Sequence, residues 1–168
     1  MGIKQCFFNT GQSCSSPTRM LIPQNLIKEA TEYACNATKK MKTGDPNNEE
    51  TFLGPISNKT QFEKVQSLIQ KGIDEGAELA LGGVDRPDGL DKGFYVKPTI
   101  FTNVKNEMQI AQEEIFGPVI CLIPYKDIDE AVEIANDTPY GLSSMVSCSD
   151  IDKGCLLYTS PSPRDTLL

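Results

Sequence analysis

This 168-residue chain has six cysteines and no histidine. A thiolate is a strong nucleophile even when only a few per cent of the thiol is ionised, so what matters is which cysteine stands where a substrate can meet it. Cys14 fits best. It closes the stretch Phe7-Phe8-Asn9-Thr10-Gly11-Gln12-Ser13-Cys14, a glycine-containing turn among small polar residues. Backbone N–H groups in such a turn can approach the charge that develops on an attacked carbonyl oxygen. The alternative is an inert thiol, because free cysteines are among the most buried residue types. Without histidine no Cys–His dyad forms within the chain, which leaves a carboxylate, a water chain or local backbone to activate the thiol.

The remaining cysteines, Cys6, Cys35, Cys121, Cys148 and Cys155, make no C-x-x-C pair with one another or with Cys14. That spacing argues against a zinc site and a disulfide framework, so no metal is expected and the thiols are read as reduced. A composition of 39% hydrophobic and 23% charged residues is that of a soluble globular protein. The formal net charge of −7, with scattered basic residues, argues against a nucleic-acid partner. No apolar run is long enough for a bilayer, and the first residues lack the layout of a signal peptide or a myristoylation site, so no membrane association is expected. A cytoplasmic location is the expectation.

The elements that must carry Cys14 alternate in type. Ile27, Ala30, Ala34, Ala37 and Met41 recur at helical spacing over 24–42, with Pro23 opening the segment and Lys39, Lys40, Lys42 and Gly44 closing it. Phe62, Val65, Ile69 and Ile73 predict a second helix over 58–75, followed by a short strand over 78–81 and a Gly82-Gly83 turn. Residues 84–93 read as a surface loop, 95–101 as a strand, 107–112 as a short helix and 118–125 as a buried strand. Asp127 and Glu130 make a capping pattern ahead of a helix to about Asn136. Strands separated by helices predict an α/β fold with a mostly parallel sheet and flanking helices.

Several strings in order resemble aldehyde dehydrogenase: the Cys14 stretch, Leu53-Gly54-Pro55, Glu75-Gly76-Ala77 to Gly82-Gly83, Gly93 to Thr99, Glu113-Glu114-Ile115-Phe116-Gly117-Pro118-Val119, and Pro139-Tyr140-Gly141-Leu142-Ser143. The similarity runs from about Gly2 to Gly154, and order and spacing both fit the catalytic region of that family. It implies that Cys14 attacks an aldehyde carbonyl to form a thiohemiacetal, that hydride passes to NAD or NADP, and that water hydrolyses the resulting thioester. The Cys14 backbone N–H becomes an oxyanion donor, with Ser13 or Ser15 at the pocket mouth. On this reading Glu114 holds the nicotinamide ribose while Phe116 packs against the same sugar, and Gln61 and Lys64 meet the cofactor from the other side. Taken without the resemblance, Phe116 is core and Glu114 a solvated carboxylate, and Gln61 and Lys64 merely solvate a helix.

The departures are equally specific. Only thirteen residues precede Cys14, whereas the family places its dinucleotide-binding domain, phosphate loop, general-base glutamate and oxyanion-hole asparagine before that position. The chain is therefore expected to be a piece of the catalytic domain over 1–154, inactive and poorly soluble by itself, from an enzyme that works as a homo-oligomer. Residues 155–168, with Ser160-Pro161-Ser162-Pro163, read as a foreign or disordered tail. Two other functions fit less of the sequence: a non-catalytic piece with a buried or redox-reactive cysteine, and a cofactor-independent thiol esterase.

Overall fold

The strand Val119–Tyr125 (β4) carries the pattern that organises the molecule. Successive side chains of a strand face opposite ways. Here Val119, Cys121 and Ile123 join one buried cluster, while Ile120 and Leu122 join another. The neighbouring strand Thr99–Thr102 (β3) repeats the division, with Phe101 on the first side and Ile100 on the second. Both faces of these strands are covered, which is why they read as continuous apolar runs. In this computed structural model, which describes residues 2–150, 152 and 154, the sheet has four strands in the order β1-β4-β3-β2. Arg19–Pro23 (β1) pairs parallel to β4 with Arg19 opposite Cys121, β3 lies parallel on the other side, and Glu78–Leu81 (β2) is antiparallel at the far edge. The expected α/β fold with a mostly parallel sheet and flanking helices is the fold observed. The tail expected over 155–168 lies outside the described residues.

Helices cover both faces. Gly2–Phe7 (α1) and Ile27–Thr38 (α2) pack Ile3, Cys6, Phe7 and Ala34 against the Ile120–Leu122 side. Lys59–Asp74 (α3) and Gln109–Gln112 (α4) bring Val65, Leu68, Ile69 and Ile110 to the other side. Ile128–Asn136 (α5) follows β4 and adds Ile134 at the rim of that cluster. The Asp127 cap forms as predicted, its Oδ1 accepting the Glu130 N–H at 2.9 Å, and the Asn58 side chain caps α3 by accepting the Gln61 N–H at 2.9 Å.

The predicted helix over 24–42 is corrected at both ends. Pro23 ends β1 instead of opening a helix, Gln24–Leu26 is a 3-10 turn, and α2 stops at Thr38. Five positions of parallel pairing with β4 hold residues 19–23 extended, and a sequence window centred on the helical periodicity does not contain that partner. The inward stripe also differs: Ala37 is exposed, whereas Thr31 and Thr38 face inward. Thr31 is accommodated by hydrogen bonds with the Ile27 carbonyl and the Thr102 hydroxyl, both at 2.7 Å. The strand predicted over 95–101 begins only at Thr99, since Pro98 has no N–H for a ladder. α1 and β1 have no counterpart in the sequence reading.

Leu122 is fully buried between β4 and the α1–α2 side. Leu122→Ala should lower unfolding free energy by about 2–5 kcal/mol, whereas Lys28→Ala on the exposed side of α2 should change it by less than about 0.5 kcal/mol. Guanidinium unfolding midpoints measure both.

Candidate active site

The backbone before Cys14 is bent in an unusual way. Residues Phe8–Gly11 form a 3-10 turn in which Asn9 (φ 51°), Thr10 (φ 57°) and Gly11 (φ 70°) are all left-handed. Such conformations cost non-glycine residues on the order of 1–3 kcal/mol each and persist only where the surroundings impose them. The restraints are visible. The Thr10 hydroxyl donates to the Gly54 carbonyl at 3.3 Å, and Gln12 spans to the same segment, its Oε1 accepting the Ser57 N–H at 2.8 Å and its Nε2 donating to the Pro55 carbonyl at 3.4 Å. The chain then turns over Ser13–Ser16, closed by the Ser16 N–H on the Ser13 carbonyl at 3.1 Å. Cys14 sits exposed on this turn, and its backbone N–H carries no hydrogen bond among the described residues.

Gly11 fixes where that turn lies. A Cβ there would stand 2.1 Å from the Gly117 carbonyl oxygen and 2.9 Å from the Pro118 nitrogen. A Cβ on Gly117 would in turn stand 2.7 Å from Cγ2 of Val65 on α3. The Cys14 loop, the loop 113–117 and α3 therefore meet as backbone against backbone against side chain. This contact lies three residues before Cys14 and three residues after Glu114.

Loop 113–117 brings four of the predicted site residues together. Among the described residues the exposed Glu114 carboxylate has neither hydrogen bond nor ion pair, but its backbone is held on both sides: its N–H donates to the Tyr140 hydroxyl at 3.3 Å and its carbonyl accepts from Lys64 Nζ at 2.7 Å. Phe116 is half-buried and left-handed, with φ 56°. Gln61 Nε2 donates to the Ile115 carbonyl at 2.9 Å and the Phe116 carbonyl at 3.0 Å. Both polar heads expected to reach a cofactor thus touch the loop itself.

A third segment connects the two loops. Besides the Tyr140 contact, the Ser143 hydroxyl donates to the Ser15 carbonyl at 3.0 Å. Ser13, Ser15, Phe8, Ser143 and Met145 are among the residues lining an open cleft of about 300 Å³ at this junction, and none of its described lining residues is a carboxylate. The anchor of the third segment is Arg19 on β1, which donates to the Ile134 carbonyl and, at 2.5 Å, to Asn106 Oδ1; Asn106 Nδ2 reaches Asp137 Oδ2 at 2.6 Å. Burial lowers the Arg19 pKa, opposed by the charge of Asp137.

Three other thiols are shielded from solvent to differing degrees. Burial pushes Cys121 up to about 12 despite the nearby Arg19 charge, and burial raises Cys6 further still, with Cys121 adding to the rise. Cys35 is raised by partial burial, offset by Lys39. These three remain neutral thiols at neutral pH and are poor nucleophiles there. Among the described residues only Cys14 and Cys148 are exposed cysteines, and no group of three or more Cys, Asp or Glu residues is arranged to hold a metal ion.

This chain matches the sequence profile of the aldehyde dehydrogenase family over residues 1–157. It belongs to the aldehyde dehydrogenase family. Its sequence is 47% identical over 152 residues to a 3-succinoylsemialdehyde-pyridine dehydrogenase of a Pseudomonas species, covering 90% of this chain and 32% of that protein. In structure it is similar to a cysteine-to-alanine mutant of aldehyde dehydrogenase C from Pseudomonas syringae in complex with NAD+ and octanal, with a TM-score of 0.92 and 49% identity over 93% of this chain and 32% of that one. An aldehyde dehydrogenase of Mycobacterium tuberculosis complexed with NAD+ gives a TM-score of 0.91 at 41% identity, over 94% and 32% of the two chains. The chain thus spans about a third of the length of the relatives it matches.

Against that family background, the residues the sequence reading left without a role are Thr10, Gln12, Tyr140 and Ser143. Tyr140 lies in one of the strings that carry the resemblance, so its presence was legible. Its hydrogen bond to Glu114 joins segments 26 residues apart and was not.

If the Gly11–Gly117 contact sets the site, Gly117→Ala should destabilise the protein by roughly 1–3 kcal/mol and be partly relieved by adding Val65→Ala, because the obstructing atom is a side chain. Gly11→Ala should destabilise at least as much, with no relief from Val65→Ala, because there the obstruction is a carbonyl and φ is +70°. A double-mutant cycle on chemical unfolding decides between relief and no relief.

Proposed function

We propose that this chain supplies the nucleophile and the nicotinamide side of an NAD(P)-dependent aldehyde dehydrogenase that oxidises an aldehyde to a carboxylic acid. The observation that carries this reading is the junction at Gly11 and Gly117, which joins an exposed cysteine with an unspent backbone donor to a braced loop bearing an unspent carboxylate. The residues fit a nicotinamide dinucleotide. Glu114 can only accept when ionised, as two ribose hydroxyls require, and Phe116 offers a half-buried ring two residues on.

The Cys14 thiolate adds to the aldehyde carbon, forming a C–S bond while the carbonyl π pair moves onto oxygen. The free Cys14 N–H is positioned on the nucleophile's own residue to donate to that oxyanion. Glu114 and Phe116 would hold NAD(P)+, which would supply an acceptor for the hydride lost from the thiohemiacetal carbon as the oxyanion pair re-forms the carbonyl of the thioester on Cys14. Water then adds to the thioester carbon, the C–S bond breaks, and the acid leaves with the thiolate restored on Cys14. Ser13 and Ser15 line the cleft where the aldehyde enters, their hydroxyls 3.1 Å apart. Among the described residues no carboxylate lines the cleft, and the chain has no histidine, so the base for the water is assigned to a group beyond the cleft lining. The working enzyme is proposed to be a cytoplasmic homo-oligomer.

In the full-length enzyme, Cys14→Ala should reduce turnover by roughly three orders of magnitude or more, and Cys148→Ala should leave it within about twofold. Brief alkylation read by peptide mass spectrometry should label Cys14 with loss of activity, while Cys6 and Cys121 stay unlabelled. Full turnover by Cys14→Ala would reject the nucleophile. Glu114→Gln should lower kcat by about 10–100-fold, with a smaller change in aldehyde KM.

A further inference from the structure

We propose that Gln61 and Lys64 are positioning residues that hold loop 113–117 in its working shape before any cofactor arrives. The inference rests on the reading of Glu114 and Phe116 given above and assigns the two helix residues a task of their own. Gln61 donates to two consecutive carbonyls, Ile115 and Phe116, which bracket the left-handed Phe116. A bulky residue does not keep that conformation unaided. Three residues along α3, Lys64 donates to the Glu114 carbonyl, and the adjacent Val65 abuts Gly117. One face of α3 thus engages four successive residues of the loop. The helix is fixed at this end, since the Gln61 N–H is taken by the Asn58 cap and Val65 is fully buried. Tyr140 accepts the Glu114 N–H from the opposite side, so the peptide groups on both sides of the Glu114 side chain are occupied. What remains free on Glu114 is its carboxylate.

Donor chemistry separates this task from direct cofactor contact. Backbone carbonyls require a donor, whereas a ribose hydroxyl can give its proton to an acceptor. Gln61→Glu replaces the donating amide with a carboxylate facing two carbonyl oxygens. If Gln61 held a ribose instead, the same carboxylate would serve as well or better.

Hydrogen exchange of the full-length enzyme without cofactor is the test. Gln61→Glu and Gln61→Ala should each speed exchange of the amides from Glu113 to Val119 by about tenfold or more, with α3 beyond Leu68 unchanged. In steady state both should lower kcat by about 10–100-fold, more than they raise the KM for NAD+. Lys64→Met should loosen the same amides and Lys64→Arg, which keeps a donor, should restore them. Parental exchange in Gln61→Glu without cofactor, with an effect confined to the KM for NAD+, would overturn the assignment. If Glu114→Gln proves silent, the nicotinamide-ribose reading falls, while faster exchange in the Gln61 variants still shows that the loop is held from α3.

Discussion

A carbonyl oxygen occupies the place where a side chain on residue 11 would be, and the architecture around Cys14 is arranged about that fact. Gly117 presents its carbonyl to Gly11 at a distance no Cβ would allow, and Gly117 itself is pressed by Val65 from α3. The two loops therefore share backbone surface with no layer of side chains between them. Interiors packed to this density have little room for graded adjustment. A change at the contact moves the Cys14 turn relative to loop 113–117 or forces the chain to deform elsewhere. The left-handed run at Asn9, Thr10 and Gly11 is the geometric counterpart, and the hydrogen bonds of Thr10 and Gln12 to residues 54–57 offset its strain at about 1 kcal/mol apiece.

α3 serves two ends at once. Its inward stripe of Val65, Leu68, Ile69 and Gly72 builds the core against β3 and β4, while Gln61 and Lys64 at its first turns reach the loop beyond. A site held by an element that is also core inherits the precision of the core. The third segment works by the same logic from the opposite direction. Its start is tied through Asp137, Asn106 and Arg19 to β1, the strand that follows the Cys14 turn.

The periodicity of Val65 and Ile69, the cap at Asp127, and the apolar run of β4 were all legible in the sequence because each is encoded within a few residues. So was the order of short strings that marks the family. What was illegible depends on partners distant in sequence. β1 is a strand because β4 lies beside it, although Pro23 and the residues after it read as a helix start. Thr31 and Thr38 face inward although their types suggest surface, Thr31 because Thr102 meets its hydroxyl. Gln61 and Lys64 were read through the resemblance as meeting the cofactor, and the loop carbonyls they bond carry no side-chain signal.

The register of β1 on β4 sets an order of events during synthesis. Arg19 pairs with Cys121 across 102 residues of chain (121 minus 19), a long loop to close and a parallel pairing that forms late relative to local helices. Gly117 leaves the ribosome almost as late. At roughly 5–20 residues per second, Cys14 is made about 5–20 s before the loop that completes its surroundings. Through that interval the Cys14 turn has no loop 113–117 beside it, and the Gly11 position lacks the carbonyl it packs against.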